Sequence, residues 1–430
     1  MSTQNSNQWM APTRNLPINA TVELPGSKSL MNRELVLSAL ATTPSVLHAP
    51  LDSRDSRLMI QALEQLGAKI EKHADYLTIQ PVSGGMQFEQ NSAIDCGLAG
   101  TVMRFLPPLS GLVSGDVIFD GDEAARRRPM DVTIDSLRKL GIEVDDEGRK
   151  ALPFTVHASG KIQGGEITID ASASSQFVSG LLLSAARFET GLTLRHEGEH
   201  LPSMPHIEMT LDTLRKRGVK VSTPEPAVWR VEPGPIAGGE FTIEPDLSNA
   251  GPFLAAAMVA GGSVTIPRWP TETTQVGDEF DGILQRMGAT ITRSESGLTI
   301  TDTGNIHGID IDLSIGGELT PVIAALAALA DSPTRISGVA HLRGHETDRL
   351  AALSTEINRI GGICRETSDG LEIEPSENLH GSLWHTYEDH RMATAAAIIG
   401  LRVPGIEVED ITTTSKTMPK FAELWAGMLA

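Results

Sequence analysis

GSKSLMNRELVLSAL, from Gly26 to Leu40, is a short polar segment that leads straight into an apolar run, and the chain repeats this form six times. The other copies are LAGTVMRFLPPLSGL from Leu98, SASSQFVSGLLLSAA from Ser172, DLSNAGPFLAAAMVA from Asp246, GGELTPVIAALAALA from Gly316 and YEDHRMATAAAIIGL from Tyr387. They recur roughly every 70 to 75 residues, and self-similarity at a fixed period governs the fold reading. Each copy places small polar residues and bare backbone N–H groups at a helix N-terminus, which is a ready anion site.

The other half of each unit repeats too. SRLMIQALEQLGAKI, VTIDSLRKLGIEV, IEMTLDTLRKRGVKV, FDGILQRMGATI, LAALSTEINRIGGIC and the terminal FAELWAGMLA put apolar residues at helical spacing. Most end in a glycine suited to the helix C′ position and run on into a strand. The spacing predicts an α/β protein built from a strand–helix–strand–helix–strand unit used six times, the last copy ending after its second helix. The period is too long for the common solenoids, and an array that stops at six favours a closed arrangement.

Composition bounds the function. At 430 residues the chain suffices for about two to four domains. Aromatics are only 4% of it, and the abundant Ala, Gly and Leu suit closely packed helices. Cys96 and Cys364 lack disulfide or zinc spacing and read as buried thiols. A net charge of -20 argues against nucleic acid and acidic membrane surfaces as partners. No apolar run has membrane-spanning length with the right flanks, and AALAALA near Ala324 reads as a core helix. Residues 1–17 are polar, lack a signal-peptide core and are expected to form a loose extension. Together these features predict a cytoplasmic protein.

The chemistry gathers at the repeat openings. Lys28 and Arg33 lie near a helix start where the dipole disfavours cations, an arrangement that makes sense when an anion sits there as well. The alternative is a capped surface helix with solvated cations. Gly100 lets a ligand approach the backbone, with Arg104 one turn on, and Ser174, Ser175 and Gln176 are suited to phosphate or hydroxyl oxygens; each is equally explicable as helix capping. Arg126-Arg127-Arg128-Pro129 is a solvated charge run or a loop whose proline aims one Arg inward. His345-Glu346-Thr347-Asp348-Arg349 and Glu388-Asp389-His390-Arg391 are surface ion-pair networks or parts of a cationic site that includes Lys28, Arg128 and Lys416. Glu318 is a capping acid or, among such cations, a general base.

The ordered set P-G-S-K-S-x4-R, L-A-G-T-x2-R, R-R-P, S-S-Q-F, E-T-D-R-L, D-H-R-M-A and S-K-T-x-P runs from Pro25 to Pro419. On these motifs the chain resembles the 5-enolpyruvylshikimate-3-phosphate synthases, within the enolpyruvyl transferases. The resemblance implies an inside-out α/β barrel of two domains, each of three repeats, that close on ligand. The domains are expected at 27–245 and at 1–26 plus 246–430, the second carrying the acid/base residues and the Arg residues for phosphoenolpyruvate. It implies transfer of the enolpyruvyl group of phosphoenolpyruvate to the 5-hydroxyl of shikimate 3-phosphate through a tetrahedral intermediate, without metal or other cofactor, in a glyphosate-sensitive monomer. By resemblance, Lys28, Ser29, Arg33, Ser174, Ser175, Gln176, Ser203, Glu318 and His345 serve shikimate 3-phosphate. Lys28, Gly100, Thr101, Arg128, Gln176, Arg349, Arg391 and Lys416 serve phosphoenolpyruvate. Glu318 takes the hydroxyl proton, and Glu346, Lys28 or His345 supplies one to the methylene carbon.

Several positions depart from the commoner family pattern. Many relatives carry Asp where Glu318 stands, Lys for His345, Asn for His341 and for Leu98, and Tyr for His206. Three other readings fit the sequence less well. A UDP-N-acetylglucosamine 1-carboxyvinyltransferase typically carries a reactive Cys within Gly121–Met130, which has none here. A non-catalytic phosphometabolite binder would not need both Glu318 and Glu346. An RNA-terminal-phosphate cyclase has similar repeats, but the acidic balance disfavours a polynucleotide.

Overall fold

The computed structural model describes residues 7–82 and 93–430. The chain divides into two compact units, one of Gly26–Ile243 and one of Met1–Pro25 with Glu244–Ala430. The breaks fall one and two residues before those expected at 26/27 and 245/246. Gly26 goes with the unit it packs in, because a Cβ there would lie 2.6 Å from the Ala49 carbonyl oxygen and 2.9 Å from Ile243. Each unit has its own buried apolar cluster.

Every repeat opening becomes a helix. In the Gly26–Ile243 unit the helices are α1 (Lys28–Leu40) and α2 (Arg54–Gln65), then α3 (Gly100–Ser110), the one-turn α4 (Glu123–Arg126) and α5 (Asp131–Lys139), then α6 (Gln176–Ala185) and α7 (Met204–Lys216). The other unit has α8 (Leu247–Ala260) and α9 (Phe280–Arg286), α10 (Thr320–Ala327) and α11 (Arg349–Arg359), and α12 (His390–Gly400) and α13 (Phe421–Leu429). The opening helices are buried nearly all round and occupy the centres: every residue of α3 and α10 is buried. Within its unit α1 touches α3 and α6, and α8, α10 and α12 do the same in theirs. The second helices bury one face only. Five of them run into a glycine, Gly67, Gly141, Gly218, Gly288 or Gly361, with φ between 76° and 107°.

The first five units of the repeat each carry one strand more than the pattern showed. In the second, Ala93–Asp95 pairs in parallel with Ser114–Asp120, which pairs antiparallel with Phe154–Ser159, itself antiparallel to Glu143–Asp145. The last two form a hairpin after α5. Five four-stranded sheets share this order. In two of them the first strand is exchanged: Gly239–Thr242 joins Ser45–His48 although α8 follows it, and Ile18–Thr21 joins Gly262–Ile266 although α1 follows it. The sixth sheet has three strands, and the third is Trp9–Met10, antiparallel to Glu407–Val408. Residues 9–14 are therefore not the loose extension expected. Ala11 is 2% exposed, and the Ala11 and Arg14 N–H groups donate to the Ile406 and Leu401 carbonyls.

Cys96 and Cys364 are buried and unpaired, and burial pushes the Cys364 thiol up to about 12. Asp146 fixes the loop after α5: its carboxylate accepts from Arg138 at 2.7 Å and from the Gly148 and Lys150 N–H groups. Burial alone would raise its pKa, yet these donors hold it below 3.8. A depressed carboxyl contributes stability above its unfolded pKa and loses it as pH falls through the folded value. Asp146→Asn should therefore cost roughly 1–2 kcal/mol at pH 7. The loss should show as a lower thermal midpoint, with the gap from wild type closing as pH falls below the ordinary carboxylate range.

Candidate active site

The polar openings of the Gly26–Ile243 unit meet through side chains. Ser27 caps α1, its hydroxyl accepting from the Leu30 N–H, and Lys28 begins the helix with its Nζ 3.8 Å from Asp55 Oδ2. Arg33, one turn on, is 1% exposed. Its Nε donates to Thr210 Oγ1 at 2.8 Å, its Nη1 to the Ser29 carbonyl at 2.9 Å and its Nη2 to the His206 carbonyl at 2.8 Å. Arg33 thus fastens α1 to the start of α7, where Ser203 sits in the left-handed region at φ 54°. The Nη2 contact uses the main chain of residue 206, so it does not depend on the side chain that departs there from the family pattern.

A second convergence centres on Gly100, the first residue of α3. A Cβ built there would lie 2.8 Å from Gln176 Oε1, 3.0 Å from Arg104 Nη1 and 3.2 Å from Arg128 Nη2. Arg126 and Arg127 face solvent in pairs with Asp120 and Glu123, whereas Arg128 turns in and donates to the Leu98 carbonyl at 3.3 Å. The contact is again with backbone, so Leu98 serves it as well as Asn would. Asn32 Nδ2 donates to Thr101 Oγ1 at 2.6 Å, tying α1 to α3. Arg33 Nη2 reaches Ser179 Oγ at 3.3 Å, tying α1 to α6. The three helix starts, with Ser29, Thr101, Ser174, Ser175 and Gln176, make a region rich in donors, suited to phosphate and carboxylate oxygens.

The other unit holds a chain of charges. Arg349 begins α11 and is 2% exposed. Its Nε and Nη2 grip Asp389 at 2.7 and 3.2 Å, and Nη2 also donates to Glu346 Oε2 at 2.7 Å. The other Glu346 oxygen accepts from Lys416 Nζ at 2.6 Å. Arg349 Nη1 donates to His345 Nδ1 at 3.1 Å, which leaves the proton of a neutral ring on Nε2. Asp389 also caps α12, accepting from the Arg391 N–H at 2.9 Å.

Glu318 lies in the single turn Gly317–Leu319 before α10. Its charge reaches Arg349, Arg391 and His341. Burial works against the Arg349 cation, but Asp389, Glu346 and Glu318 outweigh it and raise its pKa. Arg391 is held lower than usual, first by burial and then by Arg349, with Glu318, Asp246 and Asp389 opposing. Burial also lowers His341, with Glu318 opposing and Arg349 reinforcing. This cluster presents cations already engaged by acids, beside an acid suited to take a proton.

Sequence reasoning left Asp389, Asn32 and Arg104 without roles and treated His341 only as a departure. The D-H-R stretch before an apolar run was an N-cap signal that marked Asp389. Asn32 lies on the wholly buried side of α1, and only the fold brings it to Thr101. Among the described residues no group of three or more His, Cys, Asp or Glu could hold a metal, and no helix is long and apolar enough to cross a membrane.

Comparisons with known proteins fit this geometry. A family model described as EPSP synthase (3-phosphoshikimate 1-carboxyvinyltransferase) matches residues 12–425. A 3-phosphoshikimate 1-carboxyvinyltransferase of Kocuria rhizophila is 56% identical over 429 residues, covering 98% of this chain and 96% of that one. An EPSP synthase structure from Acinetobacter baumannii superposes with a TM-score of 0.80 at 25% identity, covering 98% of each chain. A second one from the same organism, at 24% identity and a TM-score of 0.78, supports the inside-out α/β fold.

Proposed function

Because this chain belongs to the EPSP synthase family, we propose that its two side-chain clusters divide the family's reaction between them. The activity is that of a 3-phosphoshikimate 1-carboxyvinyltransferase, which moves the enolpyruvyl group of phosphoenolpyruvate to the 5-hydroxyl of shikimate 3-phosphate and releases phosphate. In our reading Lys28, Ser29, Arg33, Ser174, Ser175, Gln176 and Ser203 bind shikimate 3-phosphate, with Glu318 and His345 at its reacting hydroxyl. Gly100, Thr101, Arg128 and Gln176, with Lys28, Arg349, Arg391 and Lys416, bind phosphoenolpyruvate. Two polyanions must be brought together, so fixed cations have to offset their repulsion before proton transfer matters.

Glu318 accepts the 5-hydroxyl proton as that oxygen bonds to C2 of phosphoenolpyruvate, and the methylene carbon gains a proton from Glu346, Lys28 or His345. Loss of the new methyl proton and of phosphate then restores the enol ether. The observation that carries this assignment is the Lys416–Glu346–Arg349–Asp389 chain within electrostatic reach of Glu318. An incoming anion would compete with Glu346 for Lys416 and Arg349, coupling substrate arrival to the acid/base groups. We also read the protein as cytoplasmic, in keeping with its two free thiols. Phosphate release from phosphoenolpyruvate with shikimate 3-phosphate, and none with UDP-N-acetylglucosamine, is the expected result. Release only with the latter would overturn the acceptor assignments.

Gly100→Ala tests the phosphoenolpyruvate half. The new methyl would meet only the ends of Gln176, Arg104 and Arg128, which can move, so the thermal midpoint should change little. The same movement spoils the donor set, so the KM for phosphoenolpyruvate should rise about tenfold or more, while that for shikimate 3-phosphate changes less. An unchanged KM for phosphoenolpyruvate would remove Gly100 from its site.

A further inference from the structure

The Ala171–Gln176 turn carries Ser174, Ser175 and Gln176, and the features that hold it in shape lie outside those residues. Its shape rests on two anchors. Asp170 Oδ1 accepts from the Ser172 N–H at 2.9 Å and the Ser172 hydroxyl at 2.5 Å. At the other anchor the Ala171 N–H donates to His196 Nδ1 at 3.0 Å. A backbone amide only donates, so this bond requires Nδ1 to be unprotonated and places the ring proton on Nε2. His196 Nε2 is buried and, among the described residues, has no hydrogen-bond partner. Ala171, 0% exposed, then accepts from the Ser174 N–H at 3.0 Å, and Ser174 Oγ accepts from the Gln176 N–H at 3.2 Å. A continuous series of bonds therefore leads from the imidazole to the start of α6.

The ring is also confined. A Cβ on Gly198 would lie 2.4 Å from His196 Cε1 and 2.1 Å from Ser172 Oγ, so the backbone after the strand presses both against the turn. Charged groups surround it. Asp170 faces it from the end of the parallel strand, and its carboxyl is lowered chiefly by the Ser172 hydroxyl and N–H, with a smaller share from His196. Arg195 and Glu197 flank it on its own strand. Arg195 pairs with Glu225 at 2.9 Å and lies 3.9 Å from Glu166.

We propose that His196 is a positioning residue for shikimate 3-phosphate: its neutral imidazole, accepting at Nδ1, holds the Ala171–Gln176 turn in the form that presents Ser174, Ser175 and Gln176 to the ligand. This rests on the assignment of those three residues to shikimate 3-phosphate.

The test compares His196→Leu, which removes the acceptor, with His196→Asn, whose Oδ1 takes the place of Nδ1. The leucine variant should raise the KM for shikimate 3-phosphate about fivefold to tenfold, with kcat and the KM for phosphoenolpyruvate within about twofold. The asparagine variant should stay close to wild type. Should the leucine variant not fold, His196→Ala, which removes the acceptor without adding bulk, takes its place and should show the same selective rise.

A leucine or alanine variant that binds shikimate 3-phosphate as wild type does would overturn the proposal, and so would parallel rises in both KM values in the leucine and asparagine variants. Ser175→Ala separates the two readings. If it leaves the KM for shikimate 3-phosphate unchanged, the assignment of the turn is wrong. If it raises that KM while the His196 variants do not, only the role of His196 is wrong.

Discussion

Glu318→Gln is expected to lower turnover by about a thousandfold or more while leaving shikimate 3-phosphate binding within a few-fold of wild type. Glutamine keeps the shape and the hydrogen bonding of the side chain but cannot take a proton at working pH. The fold should tolerate it, because glutamine matches the volume of Glu318, which is half-buried in the single turn ahead of α10 and outside that apolar helix. Removing its charge takes an acid away from Arg349 and Arg391, both of which it favours as cations. Those guanidinium groups are then more open to an anion, so the KM for phosphoenolpyruvate should hold or fall. His341 is no substitute base that switches on, since loss of Glu318 removes the one influence that raises its pKa against burial and Arg349. Phosphate release gives kcat, and calorimetric titration gives shikimate 3-phosphate affinity. Turnover within about tenfold of wild type would move the base elsewhere, with Lys28 the next group to test.

Much of the fold was written locally. All six polar-to-apolar segments became helices, and the second helices stop at their glycines, because capping and burial act over a few residues. What was not legible depends on distant partners. The hairpin strands Lys69–Lys72 and Val221–Glu225 are short and mostly exposed, so they lack the alternation that marks a half-buried strand. Trp9–Met10 has only two residues and becomes a strand through Val408 and Glu407, some four hundred residues away in sequence. The exchange of Ile18–Thr21 and Gly239–Thr242 between sheets leaves no trace in the residues of either segment, and only the family resemblance groups residues 1–26 with 246–430. For the candidate site, family motifs named most residues, but not the wiring among them. Nothing local says that Glu346 spans Lys416 and Arg349, that Arg33 grips the main chain of residue 206, or that Asp389 is the buried partner of Arg349.

That buried wiring makes Arg349→Lys a far from conservative change. Arg349 uses its planar fork twice: Nε and Nη2 bracket Asp389, and Nη2 also reaches Glu346. Lysine carries the same charge on one nitrogen and cannot serve both carboxylates in that geometry. Asp389 is 0% exposed, so no water makes good the lost donor. A buried carboxylate left short of partners costs about 2–4 kcal/mol, and the thermal midpoint should fall by several degrees. The functional loss should be of similar size in free energy. Glu346, freed from Arg349, keeps Lys416 as its partner at 2.6 Å and so occupies a cation that we assign to phosphoenolpyruvate. Asp389, no longer braced, also loses its hold on the start of α12, where Arg391 sits. The value of kcat/KM for phosphoenolpyruvate should drop about a hundredfold to a thousandfold, and the KM for shikimate 3-phosphate much less. Steady-state kinetics with each substrate varied, alongside thermal unfolding, separates the two effects. A lysine variant with kcat/KM within about fivefold of wild type would mean that charge alone suffices at this position and that the fork-to-Asp389 geometry does not set the site.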